Sequence, residues 1–275
     1  MIRAAVAGAS GYGGGELLRL LRGHPHVEVT EIAGGESAGR CEGEVWPHLR
    51  GLGGGRLTTL DAAGLAEGND VVFLALPSGV APELVGPLLD GGTRVVDLGP
   101  DFRVADGEAY RRRHGAGHSG PDSLETAVYG LPELEGADLA EAHLVANPGC
   151  YATAALLALV PLQAEGVCSD AVFVDGKSGV SGAGRRPERS TMFAEVDGNV
   201  RPYAVVGHRH TAEIEAVLSG GGRRVRVSFA PNVVPMTRGI LVTCFVPLRR
   251  PIGEDEALEI LRSAYADASF VRVDR

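Results

Sequence analysis

The sequence has no block of basic residues, no cysteines at paired spacing and no apolar run approaching a membrane span. Each absence excludes a class of function. Lys and Arg number 26 against 35 Asp and Glu, a net charge of −9, and without a basic cluster the chain has no electrostatic footprint for nucleic acid. The four cysteines, at 41, 150, 168 and 244, form neither a zinc ribbon nor a disulfide frame, which fits a reducing cytoplasm. Without a span of about 20 apolar residues there is no transmembrane segment. The opening Met-Ile-Arg-Ala-Ala-Val-Ala-Gly lacks the h-region and cleavage site of a signal peptide and reads as a first strand. The chain has 275 residues with 44% hydrophobic content, enough for one large or two ordinary domains with a full core.

Glycine is abundant, at 40 residues, and its placement carries information. An apolar strand over 2–8 runs into Gly8-Ala-Ser-Gly-Tyr-Gly-Gly-Gly15, then a helix from Glu16 and a second strand over Val27–Ala33. The glycines at 8, 11 and 14 permit a pyrophosphate to approach the backbone and rest on helix N–H groups. A flexible turn is the plainer alternative. Further strands over 70–77 and 93–98, with a helix over 80–89 between them, predict an open α/β sheet whose ligands gather at the strands' carboxyl ends. The expected architecture is a doubly wound, Rossmann-type parallel sheet over residues 1–149. A second α+β domain follows over 150–275, with strands near 171–175, 224–230 and 240–246, a helix over 254–265 and a short strand at 270–273. Residues 34–55 and 104–142 read as loop.

The stretch Asn147-Pro-Gly-Cys-Tyr-Ala-Thr153 follows a short apolar strand and precedes a run of strong helix formers. Cys150 then lies at a helix start, where the positive end of the dipole favours the thiolate, the nucleophilic form. A small buried cysteine at a strand end is the competing reading. In Gly207-His-Arg-His-Thr-Ala-Glu213, two histidines precede a helix and can supply a proton donor and acceptor. His210 and Glu213 share a helix face, but three convergent metal ligands are not visible, so no metal is expected. Ser178 to Arg185, small residues ending in arginine, is either an anion or cofactor loop or a linker.

Together with Phe229-Ala-Pro-Asn-Val-Val-Pro-Met-Thr-Arg-Gly-Ile240, these motifs resemble the N-acetyl-gamma-glutamyl-phosphate reductases of arginine biosynthesis, from the first strand to the end of the chain. The carrier-linked amino-adipyl-phosphate reductases of lysine biosynthesis share nearly all of them, and aspartate-semialdehyde dehydrogenases are more distant. The resemblance implies that Cys150 attacks an anionic acyl phosphate, expels phosphate and holds a thioester that NADPH reduces to the semialdehyde. It makes His208 the acid/base residue and His210 its support. Gly8, Ser10, Gly11, Tyr12, Gly13, Gly14 and Ser37 become cofactor residues, with Ser181 and Gly182 near the nicotinamide. Arg103, Arg185, Arg201, Arg209 and Arg238 are candidates for the substrate's carboxylate and phosphate, because arginine grips both in bidentate fashion. A cytoplasmic homodimer or homotetramer is implied.

Three features depart from the family. Gly34-Gly35-Glu36-Ser37 stands where relatives often have Ser or Thr with Arg for the 2′-phosphate, and Glu36 suits an NAD ribose better; Arg40 is nearby. Ser78 replaces a frequent histidine. The family's final strand and long helix are expected beyond Arg275. Val200-Arg-Pro-Tyr203 leans towards the lysine branch, where Arg112, Arg113, Arg185, Arg186 and Arg189 would meet an acidic amino-group carrier protein. A catalytically inactive dinucleotide-binding protein is the rival from another class.

Overall fold

The computed structural model describes residues 1–104, 120–135, 138–219 and 223–275. It divides into two compact units, one of residues 1–130 with 137–148, the other of 131–136 with 149–275.

The first unit is built on a six-stranded sheet in the order β2-β1-β3-β4-β6-β5, every pairing parallel. Its strands are β1 (Ile2–Ala7), β2 (Val27–Ala33), β3 (Val71–Leu74), β4 (Arg94–Asp97), β5 (Val128–Tyr129) and β6 (Leu144–Ala146). Side chains alternate across a strand, and here both faces are covered, which is why the strands read as nearly unbroken apolar runs. Ala5 and Ala7 of β1 point into a cluster with Val72, Leu74, Val95 and helix α2 (Ala81–Asp90). Val6 points the other way, to Leu18 and Leu21 of helix α1 (Tyr12–Leu21), Ile32 and Trp46. The chain leaves β1 for β2 on one side and reaches β3 on the other, so β1 borders the topological switch point where such sheets bind ligands.

The stretch 34–55 is more ordered than a loop. A helical turn at Glu42–Val45 is closed by reciprocal capping between Cys41 and Glu44, and Trp46 is buried with its Nε1–H donating to Ala9 O at 2.7 Å. Within 104–142, the helix Pro121–Thr126 and the two-residue β5 were not expected as regular elements. β5 takes its conformation from pairing with β6, information that a two-residue window does not contain.

The second unit has a mixed four-stranded sheet, order β10-β7-β9-β8. β7 (Ala171–Ser178) and β9 (Arg226–Val233) are parallel; β8 (Arg201–Pro202) and β10 (Ile240–Phe245) flank them antiparallel. Val172, Val174, Val227 and Phe229 face inward, whereas Phe173, Leu241 and Phe245 are at least half exposed on the outer face. Helix α3 (Cys150–Ala164) packs on β10 and on helices α4 (Arg209–Leu218) and α5 (Glu254–Ala264), so it is apolar nearly all round. The strand expected at 270–273 is not formed. Val271 N–H turns back to Ala268 O, and Arg275 bonds Glu254 and Asp255 at the start of α5. This segment follows its own turn instead of a strand partner.

Candidate active site

In the first unit, Gly8 to Gly11 join β1 to α1. Gly8 has φ +83°, and a β-carbon there would overlap Ala75 O. At Gly14 one would overlap Gly8 O, so this glycine brings helix and strand together. Gly15 makes room for the Trp46 ring, which a β-carbon would approach to 2.5 Å. Gly11 and Gly13 have no such internal reason. A β-carbon at Gly11 would meet only Gly8 O at 3.5 Å, and at Gly13 only Ala75 Cβ at 4.0 Å. The space they leave lies at the N-terminus of α1, whose first turn carries no acidic residue. A dinucleotide's pyrophosphate fits that cradle. Ser10 lies in the same turn and exposed Tyr12 is the first helical residue. After β2, Gly35–Ser37 form a 3-10 turn, with Glu36 and Arg40 exposed and Ser37 half-buried.

Farther along the strand ends, Asp101 accepts Ser78 Oγ–H at 2.9 Å and Gly79 N–H at 2.8 Å. Arg103 donates from Nε to Asn147 O at 2.8 Å and from Nη2 to Leu98 O at 2.7 Å. Two of its donor directions are thus taken by backbone carbonyls. Asp97 ends β4 fully buried; Oδ1 accepts Gly99 N–H at 2.9 Å, and Oδ2 has no hydrogen-bond partner among the described residues. Burial pushes this carboxyl up to about 6, Asp101 adding to the rise and the Gly99 bond and Arg103 opposing it.

In the second unit, Cys150 is exposed and is the first residue of α3, with Gly149 as N-cap and no acidic residue in the first turn. That placement favours a thiolate. Tyr151, the next residue, is buried against Phe229, His208 and His210 at ring separations of 5.0, 5.9 and 5.9 Å. Gly176 on β7 makes room for it, since a β-carbon there would lie 2.5 Å from the ring. Tyr151 donates to Asn232 O at 3.0 Å. Burial raises its hydroxyl pKa, as do the bond with Tyr203 and the proximity of Cys150. Tyr203, whose ring meets His208 at 5.5 Å, is likewise raised mainly by burial; its Tyr151 bond opposes, Cys150 adds, and Arg209 opposes. Cys150, Tyr151, Tyr203, His208 and Arg209 therefore belong to one neighbourhood.

His208 is the N-cap of α4, and its Nδ1 accepts the His210 N–H at 3.2 Å. With Nδ1 accepting, the neutral ring carries its proton on Nε2 and is a donor there. His210 is buried, with Nε2 4.0 Å from Oε2 of the equally buried Glu213, whose Oε1 accepts Gly149 N–H at 2.7 Å. Ser181 and Gly182 lie in a 3-10 turn after β7, and the turn is braced by Val180 and Ser181 N–H bonds to Met236 and Thr237 O. Arg185, Arg201, Arg209 and Arg238 are exposed in this unit, Arg201 donating to Ser190 O at 3.0 Å. The sequence reading missed Tyr203, Trp46 and the bond from Glu213 to the cysteine turn. For Trp46 the signal was available: it is the chain's one tryptophan, set in a glycine-rich run. No group of three or more potential metal ligands occurs among the described residues.

Two family models match, one described as the NAD binding domain of semialdehyde dehydrogenase over residues 3–142, the other as its dimerisation domain over 150–275. The N-acetyl-gamma-glutamyl-phosphate reductase of Brevibacillus brevis is 43% identical over 275 residues, covering 99% of this chain and 80% of the relative. That of Acidithiobacillus ferrooxidans is 44% identical with the same coverage. Among solved structures, aspartate semialdehyde dehydrogenase II from Vibrio cholerae superposes with a TM-score of 0.70 at 17% identity, over 96% of this chain and 79% of that one. The Candida albicans aspartate semialdehyde dehydrogenase with NADP gives 0.68 at 18%, over 95% and 76%. At such identities the structural likeness is one of fold.

Proposed function

Because this chain belongs to the N-acetyl-gamma-glutamyl-phosphate reductase family of semialdehyde dehydrogenases, we propose that it reduces N-acetyl-gamma-glutamyl phosphate to the semialdehyde in arginine biosynthesis. The observation that carries the reading is an exposed cysteine opening a 15-residue helix whose next residue, Tyr151, packs against a histidine held as a donor. The Cys150 thiolate forms a C–S bond to the acyl carbon as the C–O bond to phosphate breaks, leaving a thioester and inorganic phosphate. NADPH, when bound, supplies the hydride that reduces this carbon. The C–S bond then breaks, the aldehyde leaves and the thiolate is regenerated. His208 Nε2–H offers a hydrogen bond to the oxygen that becomes negative on the way. Arg209, at the same helix start, and exposed Arg185, Arg201 and Arg238 supply positive charge for the anionic substrate in a chain of net charge −9.

Gly8, Ser10, Gly11, Tyr12, Gly13 and Gly14 would hold the cofactor's pyrophosphate, and Ser37 with Arg40 its 2′-phosphate, next to the opposing charge of Glu36. Ser181 and Gly182 would border the nicotinamide. The first unit thus serves the cofactor, and the second serves the substrate and self-association. The outer face of β7 and β10, where Phe173, Leu241 and Phe245 are exposed, suits a second copy of this chain. No helix among the described residues is long and apolar enough to cross a membrane. A working thiolate needs reducing surroundings, which assigns the protein to the cytoplasm. Exposed Arg185, Arg186 and Arg189 would meet an acidic carrier protein if the substrate were carrier-borne. Arg112 and Arg113 lie outside the described residues. Rates with free and carrier-bound substrate separate these two forms.

The test is turnover with acyl phosphate made in situ, alongside NADPH binding by fluorescence. Cys150→Ser loses turnover at least about 1,000-fold while binding NADPH normally. His208→Gln, which still donates, keeps more activity than His208→Ala. Retained turnover in Cys150→Ser refutes the nucleophile.

A further inference from the structure

We infer that Glu213 is a positioning residue that fastens the nucleophile to the histidine pair through a single carboxylate. Helix α3 has no side-chain cap of its own, and Glu213, 64 residues away in sequence, supplies one by accepting Gly149 N–H at 2.7 Å. Gly149 immediately precedes Cys150. The other oxygen of Glu213 faces His210 Nε2 at 4.0 Å. The His210 ring meets the His208 ring edge-on at 4.8 Å, and the His210 N–H is the one His208 Nδ1 accepts. The connection therefore runs Cys150–Gly149–Glu213–His210–His208, through a carboxylate that is 2% exposed. A carboxylate buried this deeply needs donors and nearby positive groups to offset its desolvation, and Gly149 N–H is one of them.

Two consequences follow. Loss of the carboxylate loosens the thiol and the imidazole relative to one another, which lowers kcat and leaves substrate affinity nearly unchanged. Its charge also matters, because a carboxylate at the N-terminus of α3 already uses part of the positive potential that a thiolate would draw on. Neutralising Glu213 should therefore make Cys150 ionise more readily, even as turnover falls. Glu213 itself touches Gly149 and His210, and the titratable or charged groups gathered about Tyr151 and Tyr203 beside them are Cys150 from α3, and His208, Arg209 and His210 from the start of α4.

The role rests on Cys150 being the nucleophile, so the deciding measurement uses no substrate. The pH dependence of iodoacetamide alkylation at Cys150 is followed by peptide mapping in the full chain, for the parent, Glu213→Gln and Glu213→Ala. Both variants are expected to lower the alkylation midpoint by about one pH unit. In turnover, Glu213→Gln still accepts Gly149 N–H and loses about tenfold in kcat, Glu213→Ala about 100-fold, each with KM within about twofold. An unmoved midpoint in both variants overturns the inference, and so does an equal kcat loss in both with only a lowered melting temperature. If Glu213→Ala does not fold, the near-isosteric Gln variant decides through its midpoint. Turnover surviving in Cys150→Ser would count against the nucleophile, whereas the alkylation shift reports on Glu213 independently.

Discussion

Asp97 should make the protein more stable in mild acid than at neutral pH, and Asp97→Asn should remove that dependence. The carboxyl is fully buried, has one hydrogen bond to Oδ1 and none to Oδ2 among the described residues, and titrates at about 6 instead of 3.8. The folded state therefore binds its proton more tightly than the unfolded chain. The resulting stabilisation is fully present below the unfolded pKa and is lost as pH rises through about 6. The difference of about 2.2 units corresponds to about 3 kcal/mol between strongly acidic and neutral solution. Between about pH 7.5 and pH 5 the recoverable part is about 1.4 kcal/mol, a tenfold change in the folding equilibrium. Asparagine has the shape of the neutral carboxyl and keeps an oxygen for Gly99 N–H. Urea unfolding of parent and variant at both pH values gives a double difference in which the packing change cancels, as do the contributions of other titrating groups. The variant should gain about 1.4 kcal/mol on the parent at pH 7.5 relative to pH 5. A double difference near zero, or of opposite sign, refutes the reasoning.

Gly11→Ala should leave the melting temperature nearly unchanged, because the added carbon meets only Gly8 O at 3.5 Å, yet weaken NADPH binding about tenfold or more by fluorescence titration. Gly14→Ala, whose β-carbon would overlap Gly8 O, should instead destabilise the first unit by about 2 kcal/mol or more in denaturant unfolding. On the outer sheet face, Phe245→Asp should raise the self-dissociation constant about 100-fold in sedimentation velocity, because it sets a charge beside Phe173 in the registered pair. An unchanged assembly would place the interface elsewhere.

The elements that carry chemistry were legible in sequence to different depths. β1, the glycine turn and α1 could be read because the pattern changes from buried strand to helix within 20 residues. The start of α3 at Cys150 could be read because Pro148 and Gly149 stop a strand where helix formers begin. What could not be read is the meeting of residues far apart in the chain. The spacing of His210 and Glu213 indicates a shared helix face, but nothing local to Glu213 says that Gly149 will be its partner. Tyr203 reaches Tyr151 and His208 only after β8 has paired with β9, and β8 has two residues. The segment 270–273 misled in the opposite direction. Its Phe-Val-Arg-Val suits a strand by propensity, but propensity makes a strand only beside an available edge.

The four thiols show how far environment, more than residue type, decides reactivity here. Cys168 is buried and its pKa is raised; Cys244 is pushed up to about 11 by burial, with Cys168 adding to the rise. Cys168 bridges to Leu248 ahead of β7 and Cys244 lies on β10, and both remain protonated at neutral pH. Cys41 is half-buried and serves as the cap of the Glu42–Val45 turn. Cys150 alone combines exposure with the first position of a long helix that lacks acidic residues in its opening turn. Helix and exposure together favour its anion; the carboxylate of Glu213, one residue upstream in space, works against it. A fold selected only for thiol acidity would have no use for that carboxylate. Its presence makes sense if the placement of sulfur and imidazole limits the rate more than the fraction of thiolate does.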